Sequence, residues 1–190
     1  MEPAIRWIAQ ALHKMGLKPN HVTGLSFCCS LLAAAAFVVI TDHMLKSVFA
    51  GSLLLLSGLF DAVDGLIART YREDSPFGAF LDSVLDRVSE IVIYFAIIYV
   101  GLVEWPIGLL ALSASLMVSY SRSRAEQLGA RMKGIGIAER PERILILAAA
   151  TFLDQLDAGS LLIGVLSIIT LLQRITYARS TLLDMQNHHD

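Results

Sequence analysis

Charge is scarce in this chain. Only 17% of its 190 residues are Asp, Glu, Lys or Arg, against about a quarter in an ordinary soluble domain. With 55% hydrophobic residues and a mean hydropathy of +0.63, the shortage argues against a water-soluble globule and for one membrane domain over residues 1–190. Cysteine is nearly missing too. Cys28 and Cys29 stand side by side inside an apolar run, where they read as lipid-facing or packing residues and carry no redox information. The five histidines show no metal-ligand spacing, and His188 and His189 sit in a polar tail. A signal-peptide layout is absent, because Arg6, His13, Lys14 and Lys18 interrupt any apolar core at the N-terminus. There is no internal repeat and no low-complexity segment, and no nucleic-acid partner is expected.

What is present is a succession of apolar runs. Residues 2–16 carry Ile5, Ile8, Leu12 and Met15 on one helical stripe, with Trp7 at the border of the polar face. The pattern predicts an amphipathic helix in the membrane interface, or the same helix packed on protein. Gly16 and Pro19 end it. Val22–Ile40 is long enough for a span at ~20 residues, and its Ala33–Ala36 run allows close helix packing. Further helices are expected over 46–70, 77–102 and 107–120, the last continuing as a polar helix through Glu126. Two shorter runs follow, 144–153 and 158–172, each with a polar end that could line a wet cavity within the protein. The expectation is therefore an all-α integral membrane protein with six spans between about residues 22 and 180.

Nearly all cations, among them Arg6, Lys14, Arg69, Arg122, Lys133 and Arg179, then fall on one side, and only Lys46 on the other. The positive-inside rule puts both termini on the cytoplasmic face of a multi-pass plasma-membrane protein.

One stretch breaks the apolar pattern. Asp61 and Asp64 are three apart, and Asp82 and Asp86 four apart, so each pair shares a face of its helix. A polar turn, Tyr71-Arg72-Glu73-Asp74-Ser75-Pro76, joins the two helices and lets all four carboxylates face one pocket near the cytoplasmic surface. Charges so placed are expensive in a membrane and mark function; a polar hairpin without a task is the bland alternative. Their mutual repulsion calls for cations, and oxygen-only ligands suit hard divalent ions such as magnesium. Gly65 and Ala68 lie one turn beyond Asp61 and Asp64, and Gly78 one turn before Asp82. The missing side chains let a ligand reach the backbone, and Arg69 offers a fork for phosphate. A diphosphate ligand fits this combination.

The string D-x2-D-G-x2-A-R-x8-G-x3-D-x3-D, complete from Asp61 to Asp86, resembles the signature of the CDP-alcohol phosphotransferases, integral membrane enzymes of phospholipid synthesis. The Pro19-Asn20-His21-Val22-Thr23 segment is similar to the entry that precedes the first span in that family. The resemblance implies that one or two magnesium or manganese ions lie among Asp61, Asp64, Asp82 and Asp86. It implies that Gly65, Ala68, Arg69 and Gly78, with Asn20 and Thr23, contact the CDP moiety. Asp86 would take the proton from an attacking hydroxyl, CMP would leave, and the protein would work as a homodimer among membrane lipids.

Two arginine-rich strings, Ser119-Tyr-Ser-Arg122-Ser-Arg124-Ala-Glu126 and Glu139-Arg140-Pro141-Glu142-Arg143, precede a last arginine, Arg174. They can be read as positive-inside charge, or as arginines converging on a phosphorylated acceptor. The strings also resemble those of the prokaryotic branch that uses inositol phosphate. There Ser119, Arg122, Arg143 and Arg174 would hold that acceptor, with CDP-diacylglycerol or CDP-archaeol as donor. Glycerol 3-phosphate and serine are the rival acceptors. A divalent-metal transporter would also need intramembrane aspartates, yet it gives no reason for Gly65, Ala68, Arg69 and Gly78 at their spacings.

Overall fold

The computed structural model describes residues 2–132 and 134–187; Lys133 and the tail histidines His188 and His189 lie outside the described residues. Among the described residues there are seven helices and no strand: α1 (Glu2–Lys14), α2 (Pro19–Val39), α3 (His43–Tyr71), α4 (Pro76–Tyr99), α5 (Trp105–Gln127), α6 (Arg140–Phe152) and α7 (Leu156–Asn187). Local chemistry sets the boundaries. Gly16 turns with φ +83°, which only glycine adopts at no steric cost, and Pro19 opens α2 where its missing N–H is no loss. Asp42 caps α3 by accepting from Leu45 N. At the far end of α3 the chain turns through Arg72 in the left-handed region. Ser75 then caps α4, accepting from Gly78 N at 3.0 Å, with Pro76 as the first helical residue.

Helices α2, α3 and α7 are long and apolar enough to cross a membrane. The other expected spans differ for visible reasons. Helix α4 holds Asp82, Asp86, Arg87 and Glu90, and the end of α5 holds Arg122, Arg124 and Glu126. Helix α6 has 13 residues, about 20 Å at 1.5 Å per residue, short of the ~30 Å hydrocarbon thickness. In contrast, α7 runs past both the apolar run that ends at Leu172 and the expected end of the last span near residue 180, to Asn187.

Helix α2 packs on α3 and α4, α3 on α6 and α1, and α7 on α5 and α6. Small residues bring α2 and α3 together. Ala33, Ala34 and Ala36 are buried, and the Ser30 and Ser57 hydroxyls meet at 2.7 Å while Ser26 donates to Ser57 O at 2.9 Å. Such contacts suit helix pairs that cannot rely on expelling water. One core cluster includes Phe37, Leu54, Ile97 and Ile163 from α2, α3, α4 and α7. The apolar stripe of α1 is covered by protein. Ile5, Ile8, Ala9 and Leu12 pack against Val63 and Ile67 of α3, and His13 stacks on Tyr71 at 3.6 Å. Met15, expected on that stripe, is 75% exposed because α1 stops at Lys14.

Candidate functional site

The short turn from the end of α3 to the start of α4 carries both carboxylate pairs to the same region of the molecule. Oxygens of Asp61, Asp64 and Asp82 lie within 4.8 Å of one another. Asp86 falls outside that trio, one turn further along α4. Two contacts fix the outer members. Thr23 of α2 donates to Asp64 Oδ2 at 2.8 Å. Arg140, the first residue of α6, sets Nη1 2.5 Å from Asp61 Oδ1 and 2.9 Å from Asp86 Oδ1. Arg87 stands 3.7 Å from the other oxygen of Asp86.

The trio fits a divalent cation. Its donors are all hard carboxylate oxygens, and Asp82 Oδ1 is buried with no hydrogen-bond partner among the described residues. A buried, unpaired carboxylate oxygen is costly unless something charged meets it.

Two cavities flank the carboxylates and share Asp82 as a wall residue. The first, about 200 Å³, is lined by Asn20, Thr23, Asp64, Gly65, Ala68, Arg69 and Gly78, and closed by the loop residues Glu73, Asp74 and Ser75. All six positions that the sequence assigned to CDP lie on its wall. The bare backbone has a geometric consequence: a Cβ on Gly78 would come 2.7 Å from Asn20 Oδ1 and 2.9 Å from Ser75 Oγ.

The second cavity, about 280 Å³, is lined by Asp82, Asp86, Arg87, Ser119, Arg122, Arg140, Arg143 and Arg174, with Glu126 and Glu139. Ser119, Arg122, Arg143 and Arg174, expected to converge, do so. Their states differ. Arg143 is 3% exposed; its Nε and Nη2 donate to Glu90 Oε1 at 3.1 and 2.6 Å, and Nη1 donates to Ala138 O at 3.0 Å. Arg174 is 2% exposed and donates to Ile135 O, Val118 O and Glu139 Oε1. Arg122 is half-exposed and pairs with Glu126 one turn on.

Sequence reasoning missed Arg140 as a partner of the aspartates, and Glu90 and Glu139 as partners of the arginines. A signal existed for Glu90: it continues the Asp82, Asp86 spacing by another four residues on α4.

Comparison with known proteins agrees with this geometry. A family model described as CDP-alcohol phosphatidyltransferase matches residues 17–176. An archaetidylinositol phosphate synthase of Pyrococcus horikoshii is 41% identical over 175 residues, covering 92% of this chain and 90% of the relative. A Mycobacterium tuberculosis phosphatidylinositol phosphate synthase crystallised with CDP-DAG bound superposes with a TM-score of 0.72 at 29% identity, covering 92% of each chain. The same enzyme in complex with manganese and citrate superposes equally well, TM-score 0.72 at 30% identity, over 90% of this chain and 87% of that one. Carboxylates, cavities and relatives converge on one conclusion: the chain belongs to the CDP-alcohol phosphatidyltransferase family.

Proposed function

We propose that the protein joins the phosphate-linked lipid of a CDP-lipid to a hydroxyl of inositol phosphate, releasing CMP. The observation that carries this reading is the pair of cavities meeting at Asp82, one walled by bare backbone and Arg69, the other by buried arginines. The first takes the CDP moiety through Gly65, Ala68, Arg69 and Gly78, with Asn20 and Thr23 at its edge. The second takes the acceptor's phosphate through Ser119, Arg122, Arg143 and Arg174. Asp61, Asp64 and Asp82, joined by Asp86, hold one or two magnesium or manganese ions. Once bound, these ions supply charge that polarises the diphosphate and stabilises departing CMP.

Asp86 is the base. It stands apart from the converging trio and borders the acceptor's cavity, so it receives the hydroxyl proton as the new phosphorus–oxygen bond forms and the bond to CMP breaks. Of the rival acceptors, serine brings no phosphate for the three arginines to meet; glycerol 3-phosphate brings one, and the resemblance to relatives that use inositol phosphate argues against it.

The remaining context is part of the same reading. Residues 1–190 form one domain with six spans, in which α4, α5 and the short α6 turn their charged halves to the internal cavities. Both termini and the aspartates are cytoplasmic in the plasma membrane, in line with the one-sided distribution of cations. Helix α1 lies in the interface with Trp7, 71% exposed, at headgroup level among membrane lipids. The unit is a homodimer, as chemical cross-linking in the membrane would reveal.

The decisive experiment is CMP release by the purified chain from CDP-archaeol and CDP-diacylglycerol with a panel of acceptor alcohols. Turnover with inositol phosphate is expected. Turnover with glycerol 3-phosphate or serine, and none with inositol phosphate, would refute the acceptor assignment and leave the aspartate chemistry standing.

A further inference from the structure

The arginines beside the carboxylates are held in two different ways. Arg143 and Arg174 each use Nε, Nη1 and Nη2 in hydrogen bonds to carbonyls or carboxylates of the protein. Arg140 does not. Its Nη1 is in ionic contact with Asp61 and Asp86, yet neither Nη1 nor Nε makes an aligned hydrogen bond among the described residues. The side chain is only 13% exposed. It is kept in place by Coulomb attraction without the directional bonds that lock its neighbours.

Asp61 is the contested group. It belongs to the trio whose oxygens converge on a cation site, and it is also the acid closest to Arg140. A divalent ion carries twice the charge of a guanidinium and bonds carboxylate oxygens directly, so the two cations compete for one carboxylate. Arg140 also lines the second cavity. There Arg143 and Arg174 each give three of their five N–H donors to the protein, and Arg140 is the cation with more donors to spare for an entering phosphate.

We propose that Arg140 is a displaceable counter-ion. It neutralises Asp61 and Asp86 before metal arrives, and metal binding at the trio frees it to pair with the acceptor's phosphate. The second half rests on the acceptor assignment above; the first does not. The device keeps clustered acids from repelling one another in the metal-free protein, and it makes acceptor binding follow metal loading. Because the release is set by competition, it is a thermodynamic coupling, and the coupling is reciprocal.

The test uses the full chain in detergent and Mn²⁺ alone, followed by electron paramagnetic resonance. Arg140→Gln should bind Mn²⁺ more tightly by about tenfold, the order of one charge-assisted contact, while Arg140→Lys should stay close to the unmodified protein. The metal-free Arg140→Gln protein should also melt earlier, and Mn²⁺ should raise its melting temperature by more. With Mn²⁺ present, inositol phosphate should bind Arg140→Gln more weakly than the unmodified chain. Unchanged or weaker Mn²⁺ binding by a folded Arg140→Gln protein overturns the counter-ion role. If that variant does not fold, a structure of the unmodified chain loaded with Mn²⁺ decides: the guanidinium should have left Asp61, and its persistence there overturns the proposal. Tighter Mn²⁺ binding with no inositol phosphate binding by the unmodified protein would overturn the acceptor assignment and the release into it, while the competition for Asp61 stands.

Discussion

Removal of Arg143 should injure the protein in two ways that one double variant can separate. The side chains of Arg143 and Glu90 are 4% and 11% exposed and meet through a 2.6 Å contact, with Nε adding a second at 3.1 Å. Arg143→Met leaves the Glu90 carboxylate without its cation, and Glu90→Gln leaves the Arg143 charge without its anion. Breaking a buried pair from one side typically costs about 3–5 kcal/mol, whereas replacing both partners together is often neutral. Each single variant should therefore lose about 3 kcal/mol or more, and Glu90→Gln combined with Arg143→Met should recover most of it. Function should divide differently. In the double variant the acceptor KM should stay raised roughly tenfold or more, because a charge-assisted contact worth ~1.5–3 kcal/mol remains lost, while CDP-lipid binding stays near that of the unmodified chain. Equilibrium unfolding in detergent and CMP release at varied inositol phosphate measure the two halves. Single losses that simply add, to within about 0.5 kcal/mol, would refute the pairing argument. A double variant with normal acceptor KM would remove Arg143 from the acceptor site.

Four further outcomes follow from the same geometry. Chelation of divalent ions should abolish turnover and magnesium or manganese should restore it; full activity in excess chelator would rule out the metal assignment. Asp86→Asn should lower kcat by ~10²–10⁴-fold, the usual range for a general base, with CDP-lipid affinity within about an order of magnitude; loss of both metal and nucleotide binding would make Asp86 principally a ligand. Gly78→Ala should push Asn20 and Ser75 aside and weaken CDP-lipid binding, at a stability cost of about 1 kcal/mol from the disturbed Ser75 cap; unchanged CDP-lipid affinity would clear Gly78 from that cavity. A cysteine at position 46 should be labelled from outside the cell and one at position 131 only from the cytoplasm, and external labelling at both would refute six spans.

Helix positions were legible because the chain punctuates itself with residues whose backbone preferences are strong. Gly16, Pro19, Asp42, Ser75 and Pro76 each stand at a helix end for a reason that precedes tertiary structure. The end of α7 was not legible by hydropathy. Past Leu172 the sequence turns polar, but no glycine or proline follows Gly164 up to Asn187, so nothing stops the helix where the apolar run stops. For α1 the sequence named the apolar stripe without naming what covers it. Lipid and the flank of α3 are equally apolar, and only the docking of Ile5, Ile8 and Leu12 near Ile67 distinguishes them.

The site divides along the same line. Spacing within one helix is visible in a sequence, and it anticipated that Asp61, Asp64 and Asp82 lie near one another, with Gly65, Ala68 and Gly78 on one cavity wall, because α3 and α4 are joined by a short turn. Pairing between distant helices is not visible. Arg143 finds Glu90 across 53 residues and Arg174 finds Glu139 across 35, through the packing of α4, α6 and α7 rather than through any local pattern. The difference bears on how the arginines act. A sequence counts positive charges, and by that count Arg122 was a candidate to bind an anion, and so were Arg143 and Arg174. An anion, however, is held by donors as well as by charge, and both of these guanidiniums already give all three nitrogens to the protein. Their contribution to the cavity is a rigidly held positive charge, partly offset by Glu90 and Glu139, with only the second N–H of each Nη left to meet an anion. The nitrogens without aligned hydrogen bonds belong to Arg140, which the sequence offered only as one member of a basic string. Whether a buried arginine is a wall or a hand is therefore decided by its hydrogen bonds, and those exist only once the helices have packed.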